Sequence, residues 1–195
     1  IDFSSTGTAI FNSDFMKVGK DEIRSILQEE YNYDANTILD NTIVGNDIQI
    51  DSKGNIYTLI NHLGWHRNFI VKYDIQTKET SIVVGKDGDM GGVGYDDGLE
   101  YLRYARGFFI DENDEFYIAD SDRHRIVKWD IEDNRGTIVA GGNGQGTANN
   151  QLDNPGDVFV KNDTIYVADY NNHRIMRWDP GSSGGLLVAG GNGSN

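Results

Sequence analysis

The chain has 195 residues and a mass of 21.7 kDa, with 25% charged and 37% hydrophobic residues, an ordinary globular balance with room for a real core. Its net charge of −14 and pI near 4.5 argue against nucleic-acid binding, which needs a basic surface, and disfavour an anionic membrane surface. With no Cys, disulfides, thiolate zinc sites and Cys nucleophiles are excluded, and no apolar run approaches the roughly 18 residues of a membrane span.

Gly occurs 24 times and Pro only 2 times, a composition that predicts many short strands joined by tight turns. The chain opens on Ile1, so a processed chain or a window of a longer one is expected. Thr8–Asn12 and Phe15–Val18 read as strands. Asp21–Tyr31 places Ile23, Ile26, Leu27 and Tyr31 on one helical stripe, with Asp21 as N-cap. Val18-Gly19-Lys20-Asp21 resembles Val84-Gly85-Lys86-Asp87, so the strands of 1–19 read as the outer half of a sheet that later segments repeat. Downstream, DIQID at 47–51, Tyr57, IVKYD at 70–74 and IVVG at 82–85 form a weak first copy, with extra residues around Leu63–Arg67. Two stronger copies follow. Tyr117, Asp120, His124, Trp129 and Val139 match Tyr166, Asp169, His173, Trp178 and Val188, each at a step of 49. Upstream of them Leu102 anticipates Leu152 at a step of 50.

Each copy holds four runs rich in Val, Ile, Tyr and Trp; in the last they are Asp157–Val160, Thr164–Ala168, Arg174–Trp178 and Leu186–Ala189. Several runs are apolar on both faces, as strands sandwiched between neighbouring sheets require. Four-stranded sheets at this period, packed face to face, describe propeller blades. The expected fold is all-β: a β-propeller segment of three full blades and a partial one, with a short helix in an inter-blade loop. Residues 1–45 supply the partial blade and helix, 46–85 a degenerate blade, and 86–142 and 143–195 two well-formed blades.

The segments NPGDVFV, TIYVADYNNHRIMRWDPG and VAGGNG of the last copy, with FYIADSDRHRIVKWD and VAGGNGQG before it, resemble NHL repeats. The resemblance is specific over 102–193, looser over 39–101 and absent over 1–38. The first copy lacks the Asp and the His-Arg pair at the matching positions. What the resemblance implies is a β-propeller related to extracellular propellers. The implied role is a non-enzymatic scaffold or binding module for protein contact or self-assembly, outside the cell. The alternative it implies is a lyase or lactonase-like propeller with a metal in the central channel, held in related lyases by His ligands from several blades.

Asp120, His124 and Arg125 recur as Asp169, His173 and Arg174. Recurrence favours architecture, since catalysis needs one asymmetric site while every blade needs the same joints. The expected task is to pin the turn between second and third strands, with each Arg paired to an acid. Trp129 and Trp178 are expected between blades, with Tyr73 in that place in the first copy. No catalytic residues and no metal ligands are assigned: His62, His66, His124 and His173 form no recognisable set, and His124 and His173, in blade register, should not share one ion. The inner strands Asp47–Ile50, Gly107–Ile110 and Asp157–Val160 bring only Asp47 and Asp157 near a channel. Asp87, Asp89, Asp96 and Asp97 form a candidate calcium loop, although Gly98 stands where an EF-hand needs Glu. The Gly-rich stretches 141–146 and 190–193 are turns, and Asn162 and Asn192 begin candidate N-glycosylation sequons. About three and a half blades fall short of the roughly 4–8 of a closed propeller, so the chain is expected either to be part of a longer propeller or to associate with proteins or further copies of itself.

Overall fold

The computed structural model describes residues 43–62, 67–77, 79–85, 99 and 102–193. The chain divides into two compact units, Ile1–Ile43 and Val44–Asn195, and the described residues belong to the second apart from Ile43. The helix predicted over Asp21–Tyr31 and the strands before it lie outside the described residues. So do the acidic loop with Asp87, Asp89, Asp96 and Asp97, and His66. Among the described residues the only helical segments are the 3-10 turns Ser121–Arg123 and Tyr170–Asn172.

Twelve strands form three four-stranded antiparallel sheets, each a simple meander. The first holds β1 (Ile43–Ile50), β2 (Ile56–His62), β3 (Arg67–Tyr73) and β4 (Thr80–Val84). The second holds β5 (Ala105–Ile110), β6 (Phe116–Asp120), β7 (Arg125–Asp130) and β8 (Arg135–Gly141). The third holds β9 (Pro155–Lys161), β10 (Thr164–Asp169), β11 (Arg174–Trp178) and β12 (Leu186–Gly190). These are blades of a β-propeller fold, as the repeat predicts.

Local chemistry explains the meanders. Asp residues end strands and fold the following turn onto a carboxylate. Asp51 accepts the amides of Lys53 and Asn55, Asp111 those of Asn113 and Glu115, and Asp130 those of Glu132 and Asp133. Between β9 and β10, Asn162 and Asp163 both take positive φ, the two-residue turn that matches strand twist. The register between third and fourth strands slips at one equivalent place in every sheet: Ile70/Val71, Ile126/Val127 and Ile175/Met176. A shared bulge gives the three sheets the same bend.

The core has two layers. Between sheets one and two pack Leu59, Ile70, Val84, Phe108, Phe116 and Trp129. Between sheets two and three pack Ala119, Ile126, Leu152, Val167, Met176 and Trp178. The middle sheet is therefore apolar on both faces, and all five residues of β6 are buried. Trp129 and Trp178 occupy equivalent places, each 3% exposed, while Tyr73 is half-buried. Across each Trp ring lies a Gly of the fourth strand or its approach. A Cβ on Gly136 would sit 3.2 Å from the Trp129 ring and one on Gly185 2.8 Å from the Trp178 ring. The third sheet differs from the expectation of two covered faces, since every residue of β12 is exposed. Among the described residues nothing lies on that side.

Candidate functional site

The second-to-third strand turns carry the repeated polar residues. Asp120 ends β6, the chain makes one 3-10 turn, and His124 reverses it with φ of 52°. Asp169 and His173 repeat this geometry, with φ of 51° at His173. His is among the few non-Gly residues that populate this left-handed region readily. The following Arg returns along β7 or β11 beside the Asp that opened the turn. Arg125 Nε lies 2.8 Å from Asp120 Oδ2, and Arg174 Nε lies 2.7 Å from Asp169 Oδ2. The other carboxylate oxygen accepts a backbone amide from the segment leading into the same blade: Arg103 N–H at 2.6 Å for Asp120, and Asp153 N–H at 2.7 Å for Asp169.

Both Asp residues are fully buried. Burial pushes the Asp120 carboxyl above the ordinary carboxylate range, against the pull of Arg125, the Arg103 amide and Arg123. Arg174 donates further to the carbonyls of Thr147, Ala148 and Gln151. Its guanidinium is thus committed to its own blade. These side chains fasten a leader segment to the turn, and their polar groups are consumed in doing so.

The leader also reaches backwards. Leu152 is fully buried against sheet two, among Ala119, Ile126 and Ala140. The Asn154 amide donates to His124 Nδ1 at 3.1 Å, and Ser121 Oγ donates to the Pro155 carbonyl at 2.6 Å. His124 thus joins the second blade to the leader of the third. On the third sheet the equivalent hollow, about 250 Å3, is lined by Ala168, Asp169, His173, Arg174, Ile175 and Ala189. His173 is exposed, and Tyr170, in the place of Ser121, is 61% exposed. This hollow opens on the uncovered face, where Phe159, Ile175, Leu186 and Val188 are exposed.

At the inner strands Asp47, Gly107 and Asp157 hold one equivalent position. Asp47 Oδ2 accepts the Phe108 amide at 2.9 Å and so ties sheet one to sheet two. Asp157 lies against Gly107, where a Cβ would approach its Oδ1 to 2.5 Å. Burial raises the Asp47 carboxyl, opposed by the Phe108 amide and reinforced by the charge of Asp157. Burial of its inner side likewise raises Asp157, against the Val158 amide. Among the described residues no three His, Asp or Glu side chains converge as a metal-ligand group. The sequon residues Asn162 and Asn192 are both exposed.

Two features escaped the sequence reading. The bond from Phe108 to Asp47 crosses between copies, and one copy in three lacks the carboxylate. The apolar part of the hollow is lined by Ala and Ile residues that carry no chemistry. Its signal was available: Ala119, Ala140 and Gly141 recur as Ala168, Ala189 and Gly190 at the same step of 49.

Residues 152–177 match the NHL repeat family. Among solved structures, the chain is similar to one from the crystal structure of a nidogen/laminin complex, at 15% identity and a TM-score of 0.55, covering 77% of this chain and 50% of that one. It is also similar to virginiamycin B lyase from Staphylococcus aureus, at 11% identity, TM-score 0.42, 72% of this chain and 39% of that one. A streptogramin B lyase matches at 15% identity, TM-score 0.41, 72% and 38%. The chain thus spans about half the length of the first of these and less of the lyases. No curated protein matches.

Proposed function

We propose that this chain, which carries an NHL repeat on propeller blades, is a non-enzymatic binding module that makes protein contacts or self-assembles outside the cell. One observation carries the reading: the third sheet leaves Phe159, Ile175, Leu186 and Val188 exposed, while on the second sheet Ile126, at the position of Ile175, is fully buried by the next blade. A contiguous apolar face on an otherwise acidic surface marks a place of protein contact. The similarity to a chain from a nidogen/laminin complex supports the same reading. The repeated Asp and Arg groups and His124 are consumed in joints between segments. Among the described residues no helix is long and apolar enough to cross a membrane. The alternative, a lyase or lactonase-like enzyme, would need a set of inward ligands, and the described inner strands bring only Asp47 and Asp157 to equivalent places.

Sedimentation velocity on the full chain and its Ile175→Asp/Val188→Asp variant tests the proposal. The expected result is concentration-dependent association at about 1–100 μM, reduced about tenfold or more by the two carboxylates. A chain that stays monomeric throughout, or one that opens a lactone ring only while Asp47 and Asp157 are intact, would overturn it.

A further inference from the structure

We infer that Arg106, held over the rings of Tyr104 and Tyr170, is a receptor for one side-chain carboxylate, Asp or Glu, presented by a protein partner. The inference deepens the proposed function and rests on it, since it names a chemistry that such a partner carries. The repeat isolates the site. Tyr104, Arg106 and Tyr170 stand where the neighbouring blade has Asn154, Gly156 and Ser121, at steps of 50, 50 and 49. Every blade needs the same joints, so departures from the repeat that meet at one point mark something that only one blade interface does.

These three departures do meet. The Arg106 guanidinium lies 5.5 Å from the centre of the Tyr104 ring and 5.1 Å from that of Tyr170. Tyr104 takes a left-handed φ of 53°, as Asn154 does at 47°. Asn tolerates that region, whereas a bulky ring there is strained. The second blade bears the strain and gains a ring beside Arg106. Gly156 lets the other ring come close, since a Cβ there would lie 3.5 Å from Tyr170 Cβ and 3.9 Å from its Cδ2. Ser121, at the matching turn, reaches forward to the Pro155 carbonyl of the next blade. Tyr170 instead reaches back to the second sheet. The cluster is therefore complete within sheets two and three and depends on nothing that follows β12.

The ligand follows from what the guanidinium leaves open. Arg103, Arg123, Arg125, Arg174 and Arg177 each have a carboxylate partner. Among the described residues Arg106 has none, in a chain whose net charge is −14. Stacking on rings uses the faces of a guanidinium and leaves its N–H edge free, the fork that matches a carboxylate. One cation on an acidic surface suits a monoanion better than a phosphate dianion. Tyr170 is 61% exposed, so the cluster lies open and does not enclose a small acid. A carboxylate carried on a chain gains the ring as a further contact.

The test is NMR titration of the isotope-labelled full chain at constant ionic strength. The probes are the blocked peptide acetyl-Gly-Asp-Phe-Gly-amide, its counterpart with Asn for Asp, and sodium acetate. The expected result is saturable shifts confined to Tyr104, Arg106, Tyr170 and their neighbours, with a Kd of about 1–10 mM for the Asp peptide. The Asn peptide and acetate should each bind about fivefold or more weakly. Arg106→Gln should remove the preference for Asp over Asn. Arg135→Gln, at an exposed position of β8, loses the same charge and should leave the preference intact. Tyr104→Asn gives the second blade the residue of the third at the left-handed position, so it should keep the fold and weaken the Asp peptide about threefold or more. Equal affinity for the two peptides, shifts elsewhere, or a preference that survives Arg106→Gln would overturn the inference. Acetate binding as tightly as the peptide would overturn the assignment to a partner's side chain. If the peptides are ignored while the chain still associates through Ile175 and Val188, only the carboxylate site falls. If the chain neither binds peptide nor associates, the proposed function falls with it.

Discussion

At the inner strands two carboxylates stand in one repeat register with only Gly107 between them. Each is raised by burial, and Asp47 is raised further by the charge of Asp157. The sign of the pH effect follows. An acid with a raised folded value holds its proton more tightly in the fold than in the unfolded chain, where the value is about 3.9. Its contribution to stability is full below that unfolded value and lost as pH rises through the folded one. Asp51 works in the opposite sense. Burial pushes it up, but the side chain and amide of Asn55, the Tyr57 hydroxyl and the Lys53 amide outweigh this and hold it low. Its contribution is present above the unfolded value and lost as pH falls through the folded one. Asp47 accepts an amide on each oxygen, so its amide variant would turn an NH2 group onto a donor. Among the described residues Asp157 accepts only the Val158 amide, so it is the cleaner probe. Asp157→Asn should be more stable than the parent at pH 7, with the gap closing below about pH 4. Urea midpoints across that range measure it, and a variant weaker than the parent at pH 7 would show that the charge is not opposed by the fold.

Elements were legible where they repeat and obscure where they do not. The strands of the second and third sheets follow from Tyr, Asp, His and Trp at a constant step, since every blade must solve the same packing problem. The first sheet has lost those markers, yet Asp51 and Asp47 preserve its turn and its lateral bond by other means. The polar half of the site was readable because Asp, His and Arg stand out in a repeat. The hollow was not, since Ala and Gly in a strand look like ordinary filler until the leucine facing them is seen. The glycines opposite the tryptophans belong to the same class. Neither Gly136 nor Gly185 has a left-handed φ, so their substitution reports packing alone. Gly185→Ala places its methyl 2.8 Å from the ring of Trp178, whereas Gly136→Ala meets Trp129 at 3.2 Å. The first should cost about 1–3 kcal/mol, as overpacking does, and the second less. Guanidinium titrations of both variants decide it; equal losses would mean that the two Trp layers are equally tight.

The three sheets of the second unit form a series in which each covers the one before. This asymmetry gives identical residues different weights. Ile126 is fully buried, while Ile175, one repeat later, is 37% exposed. Ile126→Asp buries an unpaired charge and should cost about 4 kcal/mol or more, enough to unfold a marginal domain. Ile175→Asp should stay within about 1 kcal/mol of the parent when the chain is dilute. Thermal melts at low concentration compare them directly. A severe loss at Ile175 would mean that the face is already covered in the dilute chain.

The leader from Thr147 to Pro155 is gripped at many points: by Arg174 and Asp169 of its own blade, and by His124 and Ser121 of the previous one. The exposed residues Gly142–Gly144 are a thinner thread between two bodies already clasped side by side, held by the Gly142 amide on the His124 carbonyl and by bonds of Asn143 with Asn150 and Gln151. Continuity of the chain there adds little once the fold has formed. A protease that severs the backbone between Gly144 and Gln145 should leave two pieces that elute together on a native column and part only in denaturant. Prompt separation without denaturant would mean that the thread, and not the clasp, holds the blades together.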